Sequence, residues 1–150
     1  MGVWVNIMSM ITLVRGLPGS GKTSFAEHLV GLRFAADDYF LNSGEYIFNP
    51  SDLPKAHAWC LERATHALGA GSSIVIHNTF TQRWEMEPYF ILAESFNVRL
   101  FVASIYDGGL TDEELFARNT HGVPLLSIKA MRERWEFDWK AGNPTAPWLR

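Results

Sequence analysis

Eight residues near the start of the chain, Gly16-Leu17-Pro18-Gly19-Ser20-Gly21-Lys22-Thr23, have the types and spacing that hold a polyphosphate. They fit G-x-x-x-x-G-K-[ST]. The glycines let the backbone bend so that successive N–H groups point inward at phosphate oxygens, and the start of the following helix adds partial positive charge. In this pattern Gly16, Pro18, Gly19, Ser20 and Gly21 shape the cradle. Lys22 reaches the β and γ phosphates, and the Thr23 hydroxyl ligates Mg²⁺. A bound nucleoside triphosphate is therefore expected. The motif does not say whether the phosphate is switched, hydrolysed or transferred.

Other residues bear on that choice. Asp37 and Asp38 follow a short apolar run. A carboxylate there can accept the proton of an attacking hydroxyl, with Asp37 placed first as the base and Asp38 orienting it or holding a water on Mg²⁺. A surface turn or helix cap would use the same two residues. His77-Asn78-Thr79-Phe80 follows a third apolar run, where P-loop proteins often carry a Mg²⁺-holding Asp that this chain lacks. His77 and Asn78 are thus candidates for substrate contact, with a structural histidine as the alternative. Arg118 closes a short predicted helix before a loop, where an Arg can stabilise charge on the γ phosphate; a helix-end Arg favourable to the dipole is the alternative. Arg83 is a second candidate. Arg15 is read as structural or near the nucleotide. The chain has six Trp and ten Phe, and Tyr39, Phe40, Tyr46, Phe48 and Phe80 fall near these segments. Base stacking and ordinary core filling both account for them.

The elements that must position these residues alternate. Residues 10–14 are apolar and partly β-branched and end at a Gly turn, which predicts a buried strand. Residues 21–30 read as helix, stopped by Gly31. A second strand is expected at 33–36 and a loop or lid at 42–50, rich in Asn, Ser, Gly and Pro. Ser51 or Asp52 then caps a helix with apolar Leu53, Ala56, Trp59, Cys60, Ala64, Ala67 and Leu68 on one face, ended by Gly69 and Gly71. A strand at 73–76 leads to a helix capped by Thr79 or Thr81 and running to about Phe96, with Pro88 a boundary or kink. Residues 98–105 give a fourth strand. Thr111 and Glu114 form a capping box for a helix to about Asn119. A last helix spans 125–138, and 141–150 is irregular. Alternating strands and helices imply a parallel sheet with crossover helices. In such sheets ligands bind beyond the carboxyl ends of the strands, where the polar residues above lie.

Bulk properties set bounds. The 150 residues suit one domain covering 1–150. Hydrophobic content of 47% and charged content of 19% are ordinary for a soluble globular protein. Residues 3–14 are rather apolar, but Asn6, Ser9 and Thr12 interrupt them, and no signal peptide or membrane span is read there. A cytoplasmic location without membrane partners is expected. Cys60 is the only cysteine, which excludes an internal disulfide and a thiolate metal cage; it reads as a buried core thiol. The net charge of −3 argues weakly against a strong nucleic-acid binder, yet six Lys/Arg against three Asp/Glu from Arg118 onward leave a basic C-terminal third. Local polyanion binding and solvated helix faces both fit that bias.

Together, G-L-P-G-S-G-K-T, D-D-Y-F (37–40), A-H-A-W-C (56–60), H-N-T-F-T-Q-R-W-E-M-E-P-Y (77–89) and R-N-T-H-G-V-P (118–124) resemble polynucleotide-kinase-like P-loop kinases, within the AAA/zeta-toxin-like P-loop family. The resemblance covers about Met10 to Trp135. It implies an α/β fold, a P-loop NTPase three-layer sandwich with a mainly parallel sheet and a helical lid. It also implies ATP and Mg²⁺ as cofactors, Asp37 as the base that deprotonates an acceptor hydroxyl, Lys22 and Thr23 on phosphate and metal, and Arg118 in the lid. In phage polynucleotide kinases an Arg follows D-D-Y and a second Arg sits in the lid. Here Phe40 and the neighbourhood of His121-Gly122 stand at those places. Related phage enzymes phosphorylate 5-hydroxymethyluracil within DNA, and a Phe at the substrate mouth suits an apolar base face.

The expectation is therefore an ATP-dependent kinase acting on a hydroxyl of a nucleic acid, DNA favoured, with the hydroxymethyl group of 5-hydroxymethyluracil in phage DNA as the first choice and the host cytoplasm as its location. A 5′-hydroxyl polynucleotide kinase and a small-molecule nucleoside or nucleotide kinase are the alternatives. A nucleotide-dependent switch fits less well, since no N-K-x-D appears and Asp37 would have no task.

Overall fold

The computed structural model describes residues 9–42 and 45–150. The expectations for the apolar stretch before Ser9, and for the tip of the 42–50 segment, lie outside those residues.

A central sheet carries the fold. Strand β1 (Met10–Gly16) is flanked by β5 (Ile74–Asn78) on one side and β6 (Arg99–Tyr106) on the other, and β2 (Leu32–Phe34) lies outside β5. The order is β2-β5-β1-β6 in a 4-stranded sheet, parallel throughout. A small antiparallel pair, β3 (Leu41–Asn42) and β4 (Glu45–Tyr46), occupies part of the segment read as a loop.

The sheet is covered on both faces because its central strands are apolar on both. Ile11, Leu13, Ile74 and Ile76 face α2 (Leu53–Gly69) and α3 (Arg83–Phe96). Ala56, Cys60 and Ala64 recur at helical spacing on α2, and their small side chains let the helix lie close to the sheet; Leu68 continues the stripe. Each fully buried Ile or Leu here contributes about 1.5–3 kcal/mol. On the other face Val14 and Val75 pack with Ala26 of α1 (Lys22–Ala26), flanked by Leu29 and Ile105. This is the expected three-layer α/β arrangement.

A separate small core lies under the lid. Leu17 of the P-loop packs with Leu115 of α4 (Asp112–Arg118), Ile128 of α5 (Leu125–Arg134) and Trp135. The lid helices therefore seat on the phosphate loop itself.

Several boundaries differ from the sequence reading. Regular α1 ends at Ala26, because His28 and Leu29 donate to the carbonyls three residues back and tighten the chain into turns. Gly31 then adopts φ 135, where a Cβ would crowd the Ser73 carbonyl as the chain enters β2. Helix α3 is capped by Gln82, in a box with Glu85, and not by Thr79 or Thr81; Thr81 is buried and donates from Oγ1 to Glu85 Oε2 at 2.5 Å. The helix continues through Pro88. Helix α5 stops at Arg134 because Trp135 turns extended and slots under Arg15, with the guanidinium carbon 3.9 Å from its ring centre. The Thr111–Glu114 box forms in both directions.

Candidate active site

The P-loop joins β1 to α1 with Gly19 at φ 80 and Gly21 at φ 101, both left-handed and suited to glycine. A Cβ on Gly19 would run into the Leu115 carbonyl of the lid helix. Gly16 donates to the Thr79 carbonyl at 3.2 Å and Leu17 to that of Tyr106 at 2.8 Å, which tie the loop to the ends of both neighbouring strands. Helix α1 starts with no side-chain cap, and the Ser20 hydroxyl is buried without a partner among the described residues. Uncapped N–H groups and an orphaned buried hydroxyl suit an anion, so these residues fit a triphosphate. Lys22 donates to the Leu17 carbonyl at 3.1 Å. Burial pushes its amine down to about 8, against the opposing pull of Asp37.

Above the loop opens a cleft of about 590 Å³. It is lined by the P-loop, by Asp37 and Asp38, by His77, Asn78 and Thr79, and by Arg118 and His121 of the lid. The carboxyl ends of β1, β2 and β5 thus meet at one place, as a parallel sheet dictates. Asp37 and Asp38 sit in a single 3-10 turn, Ala36–Phe40. That turn is fastened to β5 by Asn78, whose Oδ1 accepts the Ala36 N–H at 2.9 Å. Asn78 Nδ2 is buried without a partner among the described residues. Burial holds the His77 imidazole below its usual range, which favours the neutral ring.

Asp37 is the most engaged acid of the cleft. Its Oδ1 accepts the Tyr46 hydroxyl at 3.2 Å, and His121 Nδ1 lies 3.2 Å from its Oδ2. Burial, then Asp37, pushes the Tyr46 phenol up. The Tyr46 ring lies 4.9 Å from the His121 ring and stacks on Phe48.

The structure brings Lys22, Thr23, Asp37, Asp38, His77, Asn78 and Arg118 to this cleft. It does not bring Phe40 or Arg83. Phe40 is 4% exposed, wedged edge-on among Tyr39, Tyr46 and Phe48 in the core, so it is not at a substrate mouth. Arg83 is paired with Glu87 one turn along α3 and lies over Phe90. Arg15 is fully buried and structural: it donates to the carbonyls of Phe80, Thr81 and Glu136 at 2.9–3.0 Å. Phe80 is also core. Part of the basic surplus of the C-terminal third is used internally, since Arg132 binds Asp107 and Asp112. Cys60 is buried, 3.4 Å from the Tyr89 hydroxyl.

His121 and Tyr46 are the residues that the sequence reading missed as site members. In the sequence Tyr46 reads only as one of several aromatics near the site segments, and His121 only as standing where relatives carry an Arg. Asn119, just after α4, was the available signal: its side chain binds the backbone of 121 and 123, the pattern of an ordered loop.

Fold and cleft define a P-loop domain with a helical lid. Residues 11–137 match the family described as AAA domain (AAA_33), and the chain belongs to that family. Human NEDD4-binding protein 2 is 37% identical in an alignment of 134 residues that covers 85% of this chain and 8% of that protein. Two solved chains share the fold. One, from the Pnkp1/Rnl/Hen1 RNA repair complex, has a TM-score of 0.66 at 17% identity, covering 85% of this chain and 44% of that one. The other, from a Pnkp1/Rnl/Hen1 complex, has a TM-score of 0.61 at 20% identity, covering 92% and 46%. The chain spans less than half the length of each of these relatives. Among the described residues no helix is long and apolar enough to cross a membrane.

Proposed function

We propose that this domain is an ATP-dependent phosphotransferase that moves the γ phosphate to a hydroxyl of a nucleic acid. The observation that carries the reading is the placement of Lys22 and Asp37 in one cleft, close enough for the carboxylate to oppose the lowering of the lysine pKa. The P-loop is the donor side and the Ala36–Phe40 turn the acceptor side. Asp37 takes the proton of the acceptor hydroxyl. The oxygen bonds to the γ phosphorus, the bond to the β–γ bridging oxygen breaks, and ADP leaves with that electron pair. Lys22 and Arg118 stabilise charge on the transferring group.

Mg²⁺ would supply neutralisation of phosphate charge when bound. Thr23 would hold it directly and Asp38 through water. Among the described residues no cluster of three or more His, Cys, Asp or Glu stands ready to bind a metal alone. That suits an ion brought in with its nucleotide.

The nucleic-acid acceptor is supported by the motif resemblance and by likeness to chains of an RNA repair complex. Phe40 lies in the core, so it presents no apolar face at the cleft to favour a base hydroxymethyl group. The test is labelled ATP offered with 5′-hydroxyl DNA and RNA oligonucleotides, 5-hydroxymethyluracil DNA and free nucleosides. Label on a polymer supports the proposal and names the hydroxyl. Label on nucleosides alone replaces it with a small-molecule kinase. Hydrolysis without transfer to any acceptor overturns it.

A further inference from the structure

We infer that His121 is a positioning residue for Asp37, carried on the lid so that lid placement and acceptor-side geometry are set together. The inference rests on the kinase reading above. Asp37 has both carboxylate oxygens engaged from different elements: Tyr46 of β4 donates to Oδ1, and His121 of the lid loop reaches Oδ2, each at 3.2 Å. Two contacts on opposite oxygens fix the plane of the carboxylate. A carboxylate has about four lone-pair sites, so room remains for an acceptor hydroxyl.

The loop that presents His121 is built for the task. Asn119 Oδ1 accepts the backbone N–H groups of His121 at 3.3 Å and Val123 at 3.0 Å, while its Nδ2 donates to the Phe116 and Val123 carbonyls at 2.9 and 3.3 Å. Gly122 takes φ 69, which completes the turn. The imidazole rests against the Tyr46 ring, so one tyrosine contacts both partners of the pair. The same short segment begins at Arg118, which lines the cleft. A displaced lid therefore loses the donor-side cation and the orientation of Asp37 in one motion.

The side chains of His121 and Asp37 remain 40% and 44% exposed. Pairs that open to solvent contribute only about 0–1 kcal/mol to stability. The role of His121 is thus read in turnover and not in melting, since misplacement by about 1 Å can cost roughly 100-fold in rate.

The test compares H121A, H121F and H121N with the wild type, using the acceptor that the wild type phosphorylates best. H121A and H121F should lose about 10- to 100-fold in kcat, with KM for ATP and the melting temperature unchanged. H121N should recover most of that loss, because an amide N–H can still donate to Asp37. On a D37N background H121A should add little, since the two act as a unit. Equal kcat in all four proteins, or a loss in H121A matched by equal losses in ATP binding and melting temperature, overturns the inference while leaving the kinase reading in place. A wild type that transfers phosphate to no acceptor overturns both, and is recognised without any variant.

Discussion

Asn78 at the end of β5 and Ala36 in the turn after β2 are joined: the Asn78 side-chain oxygen accepts the Ala36 N–H at 2.9 Å, where Asn78 itself is 7% exposed. This bond sets where the Asp37 turn leaves the sheet. The residue stands where relatives of this fold often place a metal-holding carboxylate, and here its oxygen goes to the neighbouring backbone. A neutral amide does this without adding a third acid to a cleft that already holds Asp37 and Asp38.

Replacing Asn78 by Ala leaves a buried backbone N–H without its acceptor, which costs about 1–3 kcal/mol. The expected outcome is a lower urea midpoint at unchanged slope, ATP affinity within a few-fold of wild type, and a clear fall in kcat. If the midpoint falls and kcat does not, Asn78 is only a brace and does not position Asp37.

Asp37→Asn keeps the shape of the side chain and removes its basicity. Loss of a general base costs typically 10²- to 10⁴-fold, so phosphoryl transfer should fall by that order while ATP binding, followed by calorimetry, persists. An unchanged turnover rate would remove Asp37 from the base role.

Lys22 should make nucleotide affinity depend on pH, and the sign follows from its shift. In the nucleotide-free protein burial lowers the amine from 10.5 to about 8. A bound triphosphate adds negative charge and raises it again. The favourable contribution is therefore complete below about 8 and declines as pH rises through that value, by up to about tenfold in Kd per unit. Titrations between pH 7.5 and 9.5 should show this slope, and Lys22→Met should bind weakly at every pH. Without nucleotide, Lys22→Met should melt no lower than wild type, because it removes a partly buried charge that has no ion pair among the described residues.

The sheet, its flanking helices and the P-loop were legible because each rests on local pattern. Residues 10–14 and 73–76 are apolar runs, the α2 stripe repeats at helical spacing, and the glycines mark the loop. Thr111 and Glu114 announce their own box. What escaped was set by contacts distant in the chain. Nothing local ends α5 at Arg134; Trp135 leaves the helix because buried Arg15 draws it in. Phe40 looked like a mouth residue because it follows the aspartates, yet the 3-10 turn rotates it inward against Tyr46 and Phe48. Arg83 is one residue after the Gln82 cap, and its reach is used by Glu87 on its own helix. His121 meets Asp37 only because the lid folds back over the P-loop, a long-range closure that spacing does not encode.

Arg15 offers a test of that long-range packing. Arg15→Met would strip hydrogen bonds from three carbonyls, two of them in wholly buried contacts. The Thr81 carbonyl keeps the Glu136 N–H at 2.9 Å, so two carbonyls are left unpaired, and at about 1–3 kcal/mol each the loss should be about 2 kcal/mol or more. Thermal melting should drop by about 2–4 °C per kcal/mol for a domain near this size. An equal melting temperature would mean that water or a repacked neighbour satisfies those carbonyls.

Arg118 separates stability from chemistry on the lid. It lies in the last turn of α4 with its side chain exposed, and it lines the cleft without a protein ion pair among the described residues. Helix-end placement alone would be worth about 0.3–1 kcal/mol, whereas an Arg on a transferring phosphate is worth about 10³- to 10⁵-fold in rate. Arg118→Ala should therefore leave the melting temperature within about a degree and lower kcat by at least tenfold, with little change in ATP affinity. Arg118→Lys should recover only part of the rate, since an ammonium cannot form the planar two-point contact of a guanidinium with phosphate. Full activity in Arg118→Ala would return the residue to an ordinary helix end and leave Lys22 as the donor-side cation.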